Sequence, residues 1–390
     1  MKFLFYRFGS VCEPDMMEGF LALGHEVDTI DTEITWKDVP GEKIVEIVSS
    51  ALSSGNYDAV VSVNYYPIVS EVCRIFGVRY IAWTVDSPVI ELLSDTVANN
   101  TNRIFCFDYK QYGDLSPYNP GGVFYLPLAT NPGRWDKVIA GASAGEHEKF
   151  RNDISFVGSL YTEKCPYDAL GDVSAYTRGF LEGMMESQKK VYGYFFLNEV
   201  LTDEVISDFI RNMPDYYIPP EKARRDDAME IALKYLGMKV TCLERLEVMK
   251  LLGEKYNVTA YTGSDTTKLP VRNGGRVKTL TEMPLVFHNS RINLNISCRS
   301  IRTGISQRTW DIMGAGGFVL TNYQEEIANF FEPGRDIEVY GSMEELLDKT
   351  AYYLEHEDVR ARIARSGSKK VHEGHSYKDR IGLMIELAFE

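Results

Sequence analysis

"KFLFYRFGSVCEPDMMEGFLALGHEVDTID", residues 2–31, holds three elements in one breath. Residues 2–8 are a β-rich apolar run. Met16, Met17, Phe20, Leu21 and Leu23 then recur at helical spacing, and Gly24 stops them. Residues 25–31 read as a second strand. A strand, a helix and a strand in that order form a parallel crossover unit. The same grammar continues outward. A helix is expected over 41–55, a strand over 57–65, a helix over 67–77, and strands over 78–86, 102–108 and 122–129. Alternation of this kind predicts an α/β domain with a parallel sheet over residues 1–150.

Residues 131–153 are small, polar and glycine-containing, and read as a linker. The pattern restarts at "ISFVGSLY" (154–161). A helical region from about 165 to 255 follows, far longer than one crossover helix needs. Strands are then expected at 257–263, 276–281, 291–297, 316–322 and 336–341, and helices at 342–355 and 357–371. This predicts a second α/β domain, 151–375, with a helical insert, facing the first across a cleft. Residues 376–390 form a last helix.

Composition narrows the function. The chain has 390 residues, 44% apolar and 25% charged, with a net charge of −14. Nucleic acid is an unsuitable partner for so acidic a chain, although a small phosphate ligand in a local pocket is compatible with it. The six cysteines are widely spaced with no CxxC pair, as expected of free thiols in the cytoplasm. No apolar run is long enough for a membrane span, and the first residues do not form a secretion signal. His372 and His375 are interrupted by Gly374 and have no evident third partner, so no metal site is expected.

Ligands of open parallel sheets bind beyond the carboxyl ends of the strands, which directs attention to four loops. In "FVGSLYTEK" (156–164), Gly158 and Ser159 follow a strand and Lys164 adds a charge. Gly158 is either a plain turn glycine or a place where backbone N–H groups approach a phosphate. The stretch matches neither dinucleotide nor Walker fingerprints. In "CRSIRTGISQRTWDIM" (298–313), Arg299 and Arg302 precede Gly304, Ser306 and Gln307, which open a helix. Arg308 opposes the dipole of that helix, which suits an arginine facing a diphosphate, or a surface arginine. Asp311 either accepts ribose hydroxyls or pairs with Arg308 one turn back. Asp86 in "WTVDSP" (83–88) either serves an acceptor hydroxyl, as a contact or a base, or stabilises the turn before proline. His288 is a further candidate for lining the cleft.

The stretches "EMPLVFHNSRINLNIS" (282–297) and "GISQRTWDIMGAGGFVLTNYQEEIANFFEPGRDIEVYGSMEELLDKTAYYLEHEDVRARIARSG" (304–367) resemble the C-terminal domain of CgeB-like, spore-protein-type glycosyltransferases. "VVSVNYYPIVSEVC" (60–73) and "IAWTVDSPVIELL" (81–93) resemble the domain that often precedes it. The resemblance implies the GT-B architecture of two Rossmann-like domains. It implies a nucleotide-diphosphate sugar as donor on the second domain, with a UDP-linked sugar expected, and no metal. The acceptor, a saccharide or protein hydroxyl, would enter from the first domain, and the last helix would return to that domain. Arg308, Lys164 and the backbone around Gly158, Gly304 and Ser306 would meet the diphosphate. Ser159 belongs to the same loop, and Asp311 would meet the ribose. Asp86 and Asp15 would meet the acceptor. Retaining relatives carry an E-x7-E motif; here Asp311 stands at the second position and Thr303 at the first. A nucleotide-sugar epimerase, or a non-catalytic binding protein working through its helical insert, are the other readings. The insert is also a candidate homodimer surface.

Overall fold

A computed structural model describes residues 1–217 and 224–390. They divide into two compact units. Unit 1 holds residues 1–129, residues 224–225 and His375–Glu390; unit 2 holds Thr130–Tyr217 and Asp226–Gly374.

Unit 1 is built on a parallel sheet in the order β2-β1-β3-β4-β5-β6. The strands are β1 (Lys2–Tyr6), β2 (Glu26–Ile30), β3 (Ala59–Val63), β4 (Arg79–Trp83), β5 (Asn102–Cys106) and β6 (Val123–Tyr125). All five β3 side chains are buried, as expected for a central strand covered on both faces. The final helix, Tyr377–Phe389, belongs to this unit. Tyr377 meets Trp83 edge to face at 5.9 Å, and Phe389 meets Phe3 at 6.4 Å. Gly19 lets it approach, because a Cβ there would lie 2.5 Å from Ile381.

Unit 2 is also built on an all-parallel six-stranded sheet, but in a different strand order, β12-β11-β10-β7-β8-β9. Its strands are β7 (Asn152–Val157), β8 (Val258–Tyr261), β9 (Arg272–Asn273), β10 (Ser290–Asn295), β11 (Val319–Asn322) and β12 (Glu338–Tyr340). The chain moves from β7 out to β9, then returns to the other side of β7 with β10. The reversal places a topological switch point between β7 and β10, and their carboxyl ends are where a ligand belongs.

Two expectations are corrected. Residues 131–153 are not a linker. They form the helices Pro132–Gly141 and Ala144–Lys149 and the start of β7, and all belong to unit 2. Asn131 caps the first helix, a Ser143–Glu146 capping box starts the second, and Trp135 is buried. The polar residues that suggest a loop are the caps themselves. The unit boundary therefore falls between Ala129 and Thr130 rather than near 150. Residues 276–281 are not a strand either. Lys278 donates its N–H to Glu282 Oε2 at 3.0 Å and accepts from Met283 N, turning the chain into the helix Met283–Asn289.

The insert contains the helices Ala175–Lys190, Asp203–Asn212 and Met238–Gly253. Leu181, Met185, Phe209 and Leu236 are among the residues of its own apolar cluster. Met238–Gly253 is the true crossover helix, since Val248, Met249 and Leu252 pack into the sheet core. Among the described residues no helix is long and apolar enough to cross a membrane.

Candidate functional site

At the end of β7 the chain turns through Gly158, whose φ is +146°, a conformation that favours glycine. The guanidinium of Arg308 lies against this glycine, and a Cβ at position 158 would stand 2.6 Å from Arg308 Nη2. Arg308 Nη1 donates to Asn295 Oδ1 at 2.9 Å, at the end of β10. A second guanidinium, from Arg245 of the crossover helix, shares the place. Arg245 donates to Ser159 O at 2.7 Å and to Ile296 O at 2.6 Å. Arg308 and Arg245 stand 5.4 and 5.5 Å from the same Phe156 ring centroid. Tyr161, at φ +65°, lies under Arg245 at 4.6 Å.

Neither arginine is ion-paired with a carboxylate among the described residues; carbonyl and amide oxygens hold both. Burial, and then the Arg245 charge, lower the Arg308 pKa to about 10. The group is still cationic at neutral pH. Two like charges gathered without an anion at the carboxyl ends of β7 and β10 make a positive site suited to a phosphate.

The helix Gln307–Gly314 begins beside them. Its N-cap residue, Ser306, does not cap the helix with its side chain; its hydroxyl donates to Asn295 Oδ1 at 3.3 Å. Gly304 O accepts from Gln324 Nε2 at 3.2 Å, which fixes the preceding loop. Asp311 is buried, and its Oδ1 accepts from Thr130 Oγ1 at 2.7 Å and Gln307 Nε2 at 3.1 Å. The Arg308–Asp311 ion pair, one of the two readings of Asp311, does not form. Ser159 uses its hydroxyl inside the turn, donating to Glu163 and accepting from Tyr161 N. Lys164 is exposed, with Nζ 5.1 Å from the Tyr161 ring centroid. Arg299 is not turned to a ligand. It is buried and pairs with Glu244 at 2.7 Å. Thr303 donates to the buried carboxylate of Glu326 at 2.6 Å. His288 stands apart, on the helix before β10, with Nδ1 3.1 Å from Ala315 O.

In unit 1, Asp86 follows β4 and is exposed. Its Oδ2 accepts from Asn64 Nδ2 at 2.8 Å. Asn64 has φ +58°, rare for a residue with a side chain, and its Oδ1 accepts from Val85 N at 3.0 Å. Asp15 is buried in the first turn of the helix Glu13–Ala22. The loop ahead of that helix is already filled. Glu13 accepts from Phe8 N at 2.9 Å and Gly9 N at 3.0 Å, and pairs with Arg7 at 3.2 Å. The β1 loop thus holds the chain's own carboxylate, whereas the β7 loop opens on two arginines. A cavity of about 790 Å³ lined by Arg151, Arg272 and Arg291 lies at the amino ends of β7 and β8, the wrong end of the sheet for such a ligand.

Solved structures with the same architecture span nearly the whole chain. A glycosyltransferase from Rickettsia africae ESF-5 is 11% identical with a TM-score of 0.54, covering 99% of this chain and 97% of that one. Anabaena HepE, in complex with UDP and glucose, is 12% identical with a TM-score of 0.53, covering 99% of each chain. Sucrose-phosphate synthase from Thermosynechococcus elongatus is 10% identical with a TM-score of 0.52, covering 99% and 98%. The fold is GT-B. Residues 240–386 match the model of a glycosyl transferase-like family. No curated protein matches the chain by sequence. The family match and the GT-B fold both support a glycosyltransferase. In this GT-B chain the residues that sequence reasoning missed are Arg245, Tyr161, Asn295 and Glu326. Arg245 sits mid-helix in an ordinary charged pattern, so only the fold reveals where it points.

Proposed function

We propose that the chain transfers a glycosyl group from a UDP-linked sugar to a hydroxyl acceptor, without a metal ion, in the manner of the CgeB-like enzymes whose sequences it resembles. The observation that carries this is the pair of guanidinium groups of Arg308 and Arg245 at Gly158, held only by neutral oxygens. When the bond between the sugar and the diphosphate breaks, the electron pair stays on the diphosphate oxygen. Fixed positive charge at that oxygen lowers the barrier without reorganising, a role that a divalent cation fills elsewhere. Lys164 and the helix start at Ser306 add to the same field. Asp311 is assigned to the ribose, one carbon shorter than the glutamate of the resemblance. Asp86, oriented by Asn64, is the group that would take the proton of the acceptor hydroxyl. Asp15 is buried, so the acceptor contact is assigned to Asp86 alone. Six free cysteines fit a reducing compartment.

The test is thermal unfolding with UDP, GDP, ADP, CMP and dTDP, each with and without Mg²⁺. UDP at about 100 times its dissociation constant is expected to add about 2.7 kcal/mol without Mg²⁺. Silence from all five would overturn the reading. Incubating the UDP-sugar alone separates an epimerase, which would yield a second nucleotide sugar, from a transferase, which slowly releases UDP.

Gly158→Ala probes the same geometry. The new Cβ collides with Arg308 Nη2 and needs a backbone conformation that L residues rarely adopt. We expect a loss of about 1–3 kcal/mol of stability. Donor KM should also rise about tenfold, since 1.4 kcal/mol of displaced binding corresponds to that factor. Unchanged KM in steady-state assays would separate Gly158 from the donor site.

A further inference from the structure

The carboxyl edge of the first sheet carries a feature that the donor chemistry does not use. The helix Tyr109–Leu115 starts three residues after β5, capped by buried Asp108. Tyr109 therefore stands at the strand end. The residue is 55% exposed, yet its ring is braced by two others. Tyr125, the last residue of β6, meets it at 5.3 Å and 86°, and Tyr112 lies at 5.6 Å and 39°. A ring held on two sides and still exposed presents a fixed apolar face with polar edges.

The helix that carries this face is tied to the loop that leads to Asp86. β4 and β5 are adjacent strands, with Trp83 opposite Phe105. Thr84 Oγ1 donates to Gln111 Oε1 at 2.8 Å, which ties the loop that leads to Asp86 to the helix that carries Tyr109. Asn64 fixes the Asp86 carboxylate from the third strand. One edge thus combines a rigid aromatic platform with an oriented, exposed carboxylate.

We infer that Tyr109, Tyr112 and Tyr125 form an acceptor subsite for a saccharide, with Tyr109 as its platform. This rests on the transferase reading and names the acceptor class within it. A pyranose offers an apolar C–H face that an aromatic ring covers, and hydroxyls at its rim that need polar partners. Tyrosine supplies both, at low entropic cost because the ring is braced before binding. A peptide hydroxyl has no comparable flat face.

The test uses a panel of immobilised mono- to tetrasaccharides and a parallel panel of Ser- and Thr-containing peptides, probed with the full chain in the presence of UDP. Wild type is expected to be retained on at least one saccharide and on no peptide. Tyr109→Ala should weaken that retention at least tenfold, and Tyr109→Phe should keep most of it. The UDP-induced rise in melting temperature should be the same in all three proteins, which separates subsite loss from misfolding. Retention on peptides instead, no retention on any saccharide, or equal retention by Tyr109→Ala would overturn the proposal. Loss of the UDP effect in wild type would instead strike the donor reading, and saccharide retention would still decide the platform.

Discussion

Arg308→Ala should lower kcat/KM for the nucleotide-sugar donor by about 10²–10³, the effect of deleting one preorganised group that stabilises developing charge. Arg308→Lys should recover little. A planar guanidinium can bond Asn295 and face the proposed diphosphate together, and an ammonium does not reproduce that fork. The melting temperature should not fall in parallel. Burial and the Arg245 charge hold the Arg308 pKa down at about 10, so its charged form is disfavoured in the folded state. A base with a depressed folded pKa weakens folding while it stays protonated, and its removal relieves that strain. Rates of UDP release and a melting curve on the same sample check both halves. A melting temperature that drops together with activity would make Arg308 a structural residue.

Glu244→Ala has the opposite signature. Glu244 is fully buried and pairs with buried Arg299 at 2.7 Å. Removing one partner leaves a buried charge without compensation, at a cost of about 3–5 kcal/mol. The damage should spread into the insert, because Arg299 also donates to Val191 O and Lys189 O at the end of the Ala175–Lys190 helix. Denaturant unfolding of the variant should show a lower midpoint, with fluorescence and circular dichroism moving together. A midpoint equal to wild type would show that water reaches the pair and screens it.

These residues also show what the sequence discloses. Most strands were legible because they are short apolar runs closed by a turn residue, as with Ala59–Val63, whereas the polar edge strand Arg272–Asn273 was not and 276–281 was wrongly expected in its place. The second unit's glycine loop was legible for the same reason. Arg299 stands in a candidate anion-binding loop, and its pairing with Glu244 was not legible because the two are distant in sequence and only the fold joins them. Arg245 went unremarked on the same ground. Asp311 was legible as a carboxylate in a helix, whereas its bond to Thr130 depends on a segment whose polar helix caps disguised it as a linker. Local chemistry is written locally. Pairings across the sheet are not.

The carboxylate of Glu13 has one more consequence. It accepts the N–H groups of Phe8 and Gly9, donors that would otherwise be open to an anion. Those donors are already taken, so the β1 loop is a poor anion site by occupancy rather than by shape. The loops at the ends of β1 and β7 are thus chemically unlike: one is occupied by the chain's own carboxylate, the other is lined by two guanidinium groups.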